Sequence, residues 1–409
     1  MPKKQNLVME RSKEYIAKIE GHGSLAINWN KNSVKLNLLE GERLFEGILV
    51  GKTLEEMHWI TPRICGVCPI AHNLASLASS EAALGIKISD QTKLLRRLMQ
   101  IGQNVQSHVL HAVFLALPDY IGIDRITELN KKDPKKFALA LTLKELGDEI
   151  AYVMAGRNVH PTRTTIGGFH NLPSKAELKN LLDGIKRSIP KARALIKIFQ
   201  GLDYPELHVN LELLAQKSDE VISNKRRGFS IADYKKNIEE KVRDGSTAKF
   251  GAYQGEGYMV GSMARLWHQS FYKKDVSQFD INFTNPFHNN LAQAVETLFE
   301  LEDGVKIIET LLREKLNSTT AKPAKNPPLR GIGAIEAPRG GLYHEVRVNK
   351  KGVITYANII TPTVQNLTSM ETSATELLKQ HSGASQKELK HLIEMLIRAY
   401  DPCITCSVH

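Results

Sequence analysis

Thr61–His72 reads TPRICGVCPIAH, and Asp401–His409 reads DPCITCSVH. Each stretch holds one C-x-x-C pair. Together they hold all four cysteines of the 409-residue chain: Cys65, Cys68, Cys403 and Cys406. In such a turn two sulfurs can converge on one metal while backbone N–H groups face them. Pro69 suits the first position of a helix, so the first pair lies just before a helix N-terminus. The positive end of that helix favours thiolate, the form that ligates metal. Soft thiolates suit zinc, nickel or iron–sulfur clusters. Zinc knuckles bring their two pairs within about 15–20 residues, whereas Cys403 follows Cys68 by 335 residues. The spacing favours a metal shared by both ends of the chain. A four-cysteine zinc site and two separate redox pairs stay open, and the spacing does not name the metal.

Outward from Cys68 the sequence becomes helical. Ala71–Leu84 is rich in alanine and serine, small residues that permit close packing of a neighbour, and Gly85 can stop the helix. Ser89 or Asp90 can cap the next helix, which has apolar residues at helical spacing to about Leu117. Further helices are expected at 134–155, 174–199, 287–316 and 385–400. Upstream, loose alternation of Ile16, Ile19, Leu25, Ile27, Val34, Leu36 and Leu38 around the turn Asn28–Asn32 predicts a hairpin or small sheet over 14–40. A short helix is expected at Arg43–Val50. Residues 201–285 are mixed and basic, 318–330 read as a loop, and 331–360 read as an antiparallel hairpin turning at Asn349–Gly352. The expected fold is one large, mainly α domain over 1–409 with peripheral antiparallel β. Its helical core would be 69–200 and 287–316, and its metal-ligand tail 385–409.

Composition excludes several classes. Hydrophobic residues at 42% and charged residues at 24% exclude wholesale disorder. Four cysteines in this length make no secreted disulfide framework. No stretch reaches the ~18–20 apolar residues that span a bilayer. The most apolar, around Val109–Leu117, is short and holds His111. The N-terminus lacks the apolar core of a secretory signal, so a cytoplasmic location is expected. Lys+Arg is 55 against Asp+Glu 44, a net charge of +11 that raises the question of nucleic acid. The lysines lie scattered in twos, as at Lys273-Lys274, without an RNP-type or helix-turn-helix signature, so no nucleic-acid partner is expected. There is no G-x-G-x-x-G or Walker sequence for a nucleotide.

The two cysteine segments closely resemble the signatures of the nickel–iron hydrogenase large subunit, R-x-C-G-x-C-x3-H and D-P-C-x-x-C-x-x-H. Three weaker segments agree in type and order: KIEGHG (Lys18–Gly23), GRNVHPTRTTIGG (Gly156–Gly168) and EAPRGGLYH (Glu336–His344). The resemblance spans the chain and implies that family's multihelical fold. The related quinone-binding subunit of respiratory complex I lacks the four cysteines.

The resemblance further implies that all four cysteines bind nickel. Cys65 and Cys403 match terminal ligands, while Cys68 and Cys406 match those bridging to an iron with one CO and two cyanides. His72 matches a histidine that donates to a bridging sulfur. Arg339 matches an arginine over the open metal position, with Asp401 and Asp119 matching the carboxylates that hold it. Glu20 matches the glutamate that takes protons from a terminal cysteine. Glu46 and His409 match ligands of a structural Mg²⁺, although Leu44 stands where the family has glycine. Thr361-Pro362-Thr363 resembles the stretch that contacts the cyanides, through Thr363 and N–H groups near Pro362. Ending at His409 matches a form already trimmed by a maturation protease.

Iron–sulfur clusters need about four cysteine ligands each. With all four committed to nickel, electrons would leave through a small-subunit partner that carries the clusters. The short length and the tail look most like the cytosolic, bidirectional type that reaches NAD(P) through diaphorase-type subunits. Deazaflavin-linked and heterodisulfide-reductase-linked types are alternatives.

Overall fold

The computed structural model describes residues 11–268 and 271–408. Its centre is a ring of four long helices: Asp90–Val109, Pro134–Ala155, Lys175–Gln200 and Asn289–Arg313, each packed on the next. Apolar residues at helical spacing explain the burial. Leu95, Leu98, Met99, Ile101, Val105 and Val109 all lie inside. Local chemistry sets the starts: Ser89 Oγ accepts from Thr92 N, and Ser174 and Glu177 form a reciprocal capping box. Asn289–Arg313 is the innermost. Asn289 to Leu301 is buried on every side, including Gln293, Glu296 and Glu300. Buried polar groups need partners, and these three face the hydrogen-bond networks described below.

Helix Asp90–Val109 departs from the expected form. It runs as α-helix only to Val109 and continues as a π-helix over Leu110–Ala116, then as a short α turn to Tyr120. The widened turn carries His111, and π segments are frequent at functional sites.

Residues 331–360 hold three strands rather than a hairpin: Arg330–Ala337, Gly340–Val348 and Ile354–Ile360, in that order across the sheet. The extra turn is Pro338-Arg339, since Ala337 pairs with Gly340. Alternation hides it because strand Gly340–Val348 is buried on both faces for most of its length. The first strand lies on helix Pro69–Leu84. A Cβ on Gly331 would stand 1.9 Å from Ser79 O, and one on Gly333 2.1 Å from Ala75 O. The small residues of that helix and the two glycines therefore meet backbone to backbone.

A 19-residue helix at Pro362–Gln380 was not expected. Its sequence is rich in threonine and serine, which favour helix interiors weakly. Pro362 at its first position and a buried face against the N-terminal sheet and the strand Phe250–Tyr253 hold it instead. That N-terminal sheet has three antiparallel strands, Arg11–Tyr15, Ser24–Asn28 and Ser33–Asn37, with Leu25, Ile27, Val34 and Leu36 buried. The loop after its first strand meets the tail of the chain: Glu20 bridges Cys403, and Ile404 N donates to Glu20 O at 2.9 Å. Among the described residues no helix is long and apolar enough to cross a membrane.

Candidate metal centre

The two C-x-x-C pairs meet. Cys65 Sγ lies 3.3 Å from Cys403 Sγ, Cys68 Sγ 3.5 Å from Cys406 Sγ, and Cys403 Sγ 2.9 Å from Cys406 Sγ. All four sulfurs fall within 4.8 Å of one another, and all four residues are buried. Cys65 follows the 3-10 turn Thr61–Ile64, whose last carbonyl accepts from Arg43 Nη1 at 2.8 Å. Cys68 stands at the start of helix Pro69–Leu84. Gln103 Oε1 accepts from the first free N–H groups of that helix, Ile70 N at 2.7 Å and Ala71 N at 3.3 Å. Cys403 follows Asp401, which holds a left-handed φ of 55°, and Pro402. Its N–H donates to Thr363 Oγ at 2.9 Å.

Four thiols cannot all ionise in so small a buried space. Burial pushes the Cys403 and Cys406 thiols well up from their ordinary value. Cys68 goes the other way, lowered by hydrogen bonds from Cys403, Cys406 and Cys65 and by His72. A divalent cation would supply the missing charge, and four soft donors at this spacing fit nickel or zinc.

Arg339 sits on the Pro338-Arg339 turn with its guanidinium toward the sulfurs. The turn closes only because Gly340 takes a φ of 129°; a Cβ there would stand 2.3 Å from a Val260 methyl. Beneath it the buried Arg265 donates to Ala337 O and Pro338 O at 3.0 and 2.9 Å and pairs with Glu296 and Glu336. Arg339 Nη2 pairs with Asp401 Oδ1 at 2.8 Å, and its Nε donates to Asp401 O at 2.8 Å. Burial opposes its charge, but Asp401 and the cysteine sulfurs outweigh that and raise its pKa above the ordinary value.

Asp119 does not share in this grip. It pairs with Arg398 Nε at 2.5 Å and Lys18 Nζ at 3.1 Å. The third contact of Arg339 is Ser107 Oγ, 3.4 Å from Nη1. The expectation for Asp119 was therefore wrong in its partner. Asp119 lies past the π-helix that ends Asp90–Val109, while Ser107 lies before it. Asp401 has further support: Gln293 Nε2 donates to its Oδ2 at 3.0 Å, and His111 Nδ1 lies 3.9 Å from that oxygen.

His72 reaches both ways, with Nε2 3.8 Å from Cys406 Sγ and Nδ1 3.2 Å from His344 Nε2. Burial, then His72, keeps His344 neutral by lowering its pKa well below the ordinary value. Glu20 Oε1 accepts from Thr405 Oγ, and its Oε2 accepts from Thr405 N at 3.2 Å. Thr363 and Pro362 open the helix that faces Cys403. Glu46 accepts from Lys249 Nζ at 3.2 Å and Ile359 N at 3.3 Å; Lys249 also lies 3.5 Å from Glu240. His409 lies outside the described residues.

Leu44 has φ 49° and ψ 42° at the start of helix Phe45–Leu49, a conformation glycine takes without penalty. That is the physical content of the glycine expected there. Ser107, Gln293, Arg265, His344 and Thr405 went unnoticed in the sequence. None has a spacing of its own, and only the last two fall inside segments already singled out.

Residues 43–149 and 232–409 match the nickel-dependent hydrogenase family. The alpha subunit of sulfhydrogenase 1 from Pyrococcus furiosus is 34% identical over 428 residues, covering 99% of each chain. The alpha subunit of sulfhydrogenase 2 from the same organism is 32% identical, covering 96% of this chain and 97% of its own. A crystal structure of an NAD+-reducing nickel–iron hydrogenase in its H2-reduced state superimposes with a TM-score of 0.84, at 25% identity. It covers 98% of this chain and 99% of that one.

Proposed function

The chain belongs to the nickel-dependent hydrogenase family, and from that premise we propose how its residues divide the work of cleaving dihydrogen. It is the catalytic large subunit of a nickel–iron hydrogenase, an enzyme that converts dihydrogen reversibly into two protons and two electrons. The observation that carries the detailed reading is the convergence of four buried sulfurs within 4.8 Å, from segments 335 residues apart in sequence.

In this reading the four cysteines would hold the nickel, Cys65 and Cys403 as terminal ligands and Cys68 and Cys406 shared with an iron that would bring its CO and cyanide ligands. The bound centre supplies a polarising, redox-active site for heterolytic cleavage. His72 donates to the Cys406 bridge, which its 3.8 Å approach supports. Its other nitrogen can accept from His344 Nε2 at 3.2 Å, an arrangement that leaves the His72 Nε2 proton for the sulfur. Arg339 holds a fixed positive charge beside the centre, oriented by Asp401. Thr363 orients Cys403 through its N–H, and with Pro362 it opens a helix whose N-terminal end suits anionic diatomic ligands. Cys403 receives the proton of cleavage, and Glu20 carries it outward.

The family resemblance alone carries the proposal of a structural Mg²⁺ held by Glu46 and His409; Glu46 and Glu240 here face the Lys249 ammonium. The electrons pass to a small subunit carrying iron–sulfur clusters, because no fifth cysteine exists to hold a relay in this chain. The likeness to an NAD+-reducing enzyme favours NAD(P) as the eventual acceptor, through diaphorase-type subunits in the cytoplasm. Deazaflavin and heterodisulfide-reductase partners are the alternatives. One domain over 1–409 completes the reading.

Infrared spectroscopy with metal analysis tests it. The purified chain with its partner is expected to hold nickel and to show metal-bound CO and cyanide bands, which have few protein lookalikes. An active, nickel-replete preparation without those bands overturns the iron ligand set. One zinc per chain and no nickel overturns the centre itself.

A further inference from the structure

We propose that the Thr405 hydroxyl is the relay between the Cys403 sulfur and the Glu20 carboxylate, an inference that rests on the proton-acceptor role of Glu20. Thr405 Oγ lies 3.9 Å from Cys403 Sγ and donates to Glu20 Oε1. No hydrogen bond joins the Glu20 carboxylate to a sulfur among the described residues. The hydroxyl is the group that touches both.

The backbone builds this arrangement. Glu20 bridges Cys403 in parallel fashion, and Ile404 N donates to Glu20 O at 2.9 Å. Gly21, with φ 82°, lets the two segments close: a Cβ there would stand 2.8 Å from Ile404 Cβ and 3.1 Å from Thr405 N. Thr405 N also donates to Glu20 Oε2 at 3.2 Å, so both carboxylate oxygens face residue 405. A hydroxyl is at once donor and acceptor, which a relay requires. Glu20 and Thr405 are half-buried while the four cysteines are buried, so the path runs outward.

The step balances without a co-reactant. The S–H bond of Cys403 breaks as an O–H bond forms at Thr405 Oγ. The original Thr405 O–H proton passes to Glu20 Oε1, no electron moves, and Glu20 releases the proton on its solvent side. In the direction of dihydrogen formation the same bonds break and form in reverse.

The test uses the assembled enzyme and three variants: Thr405→Val, Thr405→Ser and Glu20→Gln. Thr405→Val keeps the backbone N–H that anchors Glu20 and removes only the hydroxyl. It is expected to keep wild-type nickel content and KM and to lose about 10- to 100-fold in kcat, within the ordinary range of a positioned proton-transfer group. Its solvent deuterium isotope effect should rise. Thr405→Ser should stay within about threefold of wild type. Independently of turnover, the Glu20 carboxylic C=O infrared band, identified by its loss in Glu20→Gln, should move to higher frequency in Thr405→Val. Should Thr405→Val lose nickel, Thr405→Ala takes its place with the same expectations. If Glu20→Gln is inactive while Thr405→Val turns over at the wild-type rate with its band unmoved, the relay falls and the Glu20 role stands. Wild-type turnover in Glu20→Gln overturns the Glu20 role and the relay with it.

Discussion

Asp401 is the carboxylate on which the charge of Arg339 depends, and a double-mutant cycle measures that dependence. The two side chains are 3% and 5% exposed and pair at 2.8 Å. Breaking a buried pair by removing one partner costs about 3–5 kcal/mol, because the remaining charge stays buried. Asp401→Asn keeps an acceptor for Nη2, which restores roughly 1 kcal/mol, so its expected cost is about 2–4 kcal/mol. Arg339→Met leaves Asp401 with Gln293 and His111 as neighbours, and about 2–3 kcal/mol is expected. The double variant has no orphaned charge. It should therefore be more stable than the sum of the singles requires, by a coupling of about 2 kcal/mol. At the entropy of unfolding ordinary for a chain this long, each kcal/mol moves the midpoint by about 1 °C. Thermal unfolding, followed by tryptophan fluorescence at one scan rate and equal metal loading, resolves such shifts. Additive losses, with coupling under about 0.5 kcal/mol, would refute the assignment of Asp401 as the counter-charge.

Two further outcomes follow from the packing. His58 is buried, and burial lowers its pKa from the usual 6.5 to about 4, so the folded state excludes a proton that the unfolded chain accepts. Its contribution is complete above pH 6.5 and is lost as pH falls toward 4, by up to about 3 kcal/mol. A His58→Phe variant should show a shallower acid loss of thermal stability between those values; an unchanged slope would sink the idea. Gly331→Val should cost more than about 3 kcal/mol, because a Cβ would meet Ser79 O at 1.9 Å and the strand would have to lift off its helix. A midpoint within 1 °C of wild type, measured by circular dichroism, would show that the sheet is free to move.

What the sequence revealed follows the range of the interactions involved. The long helices were readable because their apolar period and caps are local: 134–155 and 174–199 differ from Pro134–Ala155 and Lys175–Gln200 by at most one residue at either end. The helix Pro362–Gln380 was not readable, because its threonines and serines belong there only once a sheet covers them. The turn at Pro338-Arg339 was missed for a related reason. Burial on both faces of Gly340–Val348 erases the alternation that marks a strand boundary. At the site, the cysteines and His72 announce themselves by spacing. Ser107 does not: a serine in a helix interior gives no sign that an arginine 232 positions away will rest against it.

The same distinction explains how the centre is held. Cys68 directly precedes a helix of 16 residues, with a side chain from the next helix over its first N–H groups. Cys403 precedes, and Cys406 lies within, a single turn, Ile404–Ser407, far too short to be stable alone. Three distant anchors fix that turn instead: Thr363 on the Cys403 N–H, the Glu20 backbone on Ile404, and Arg339 on Asp401. Each anchor also carries a proposed chemical role, as orienter, proton carrier or fixed charge. A substitution at any of them perturbs ligand geometry and chemistry together, so activity alone does not separate the two. Metal content must be read beside turnover, because a group acting only on protons leaves the four sulfurs where they are, whereas a group that anchors the tail moves two of them.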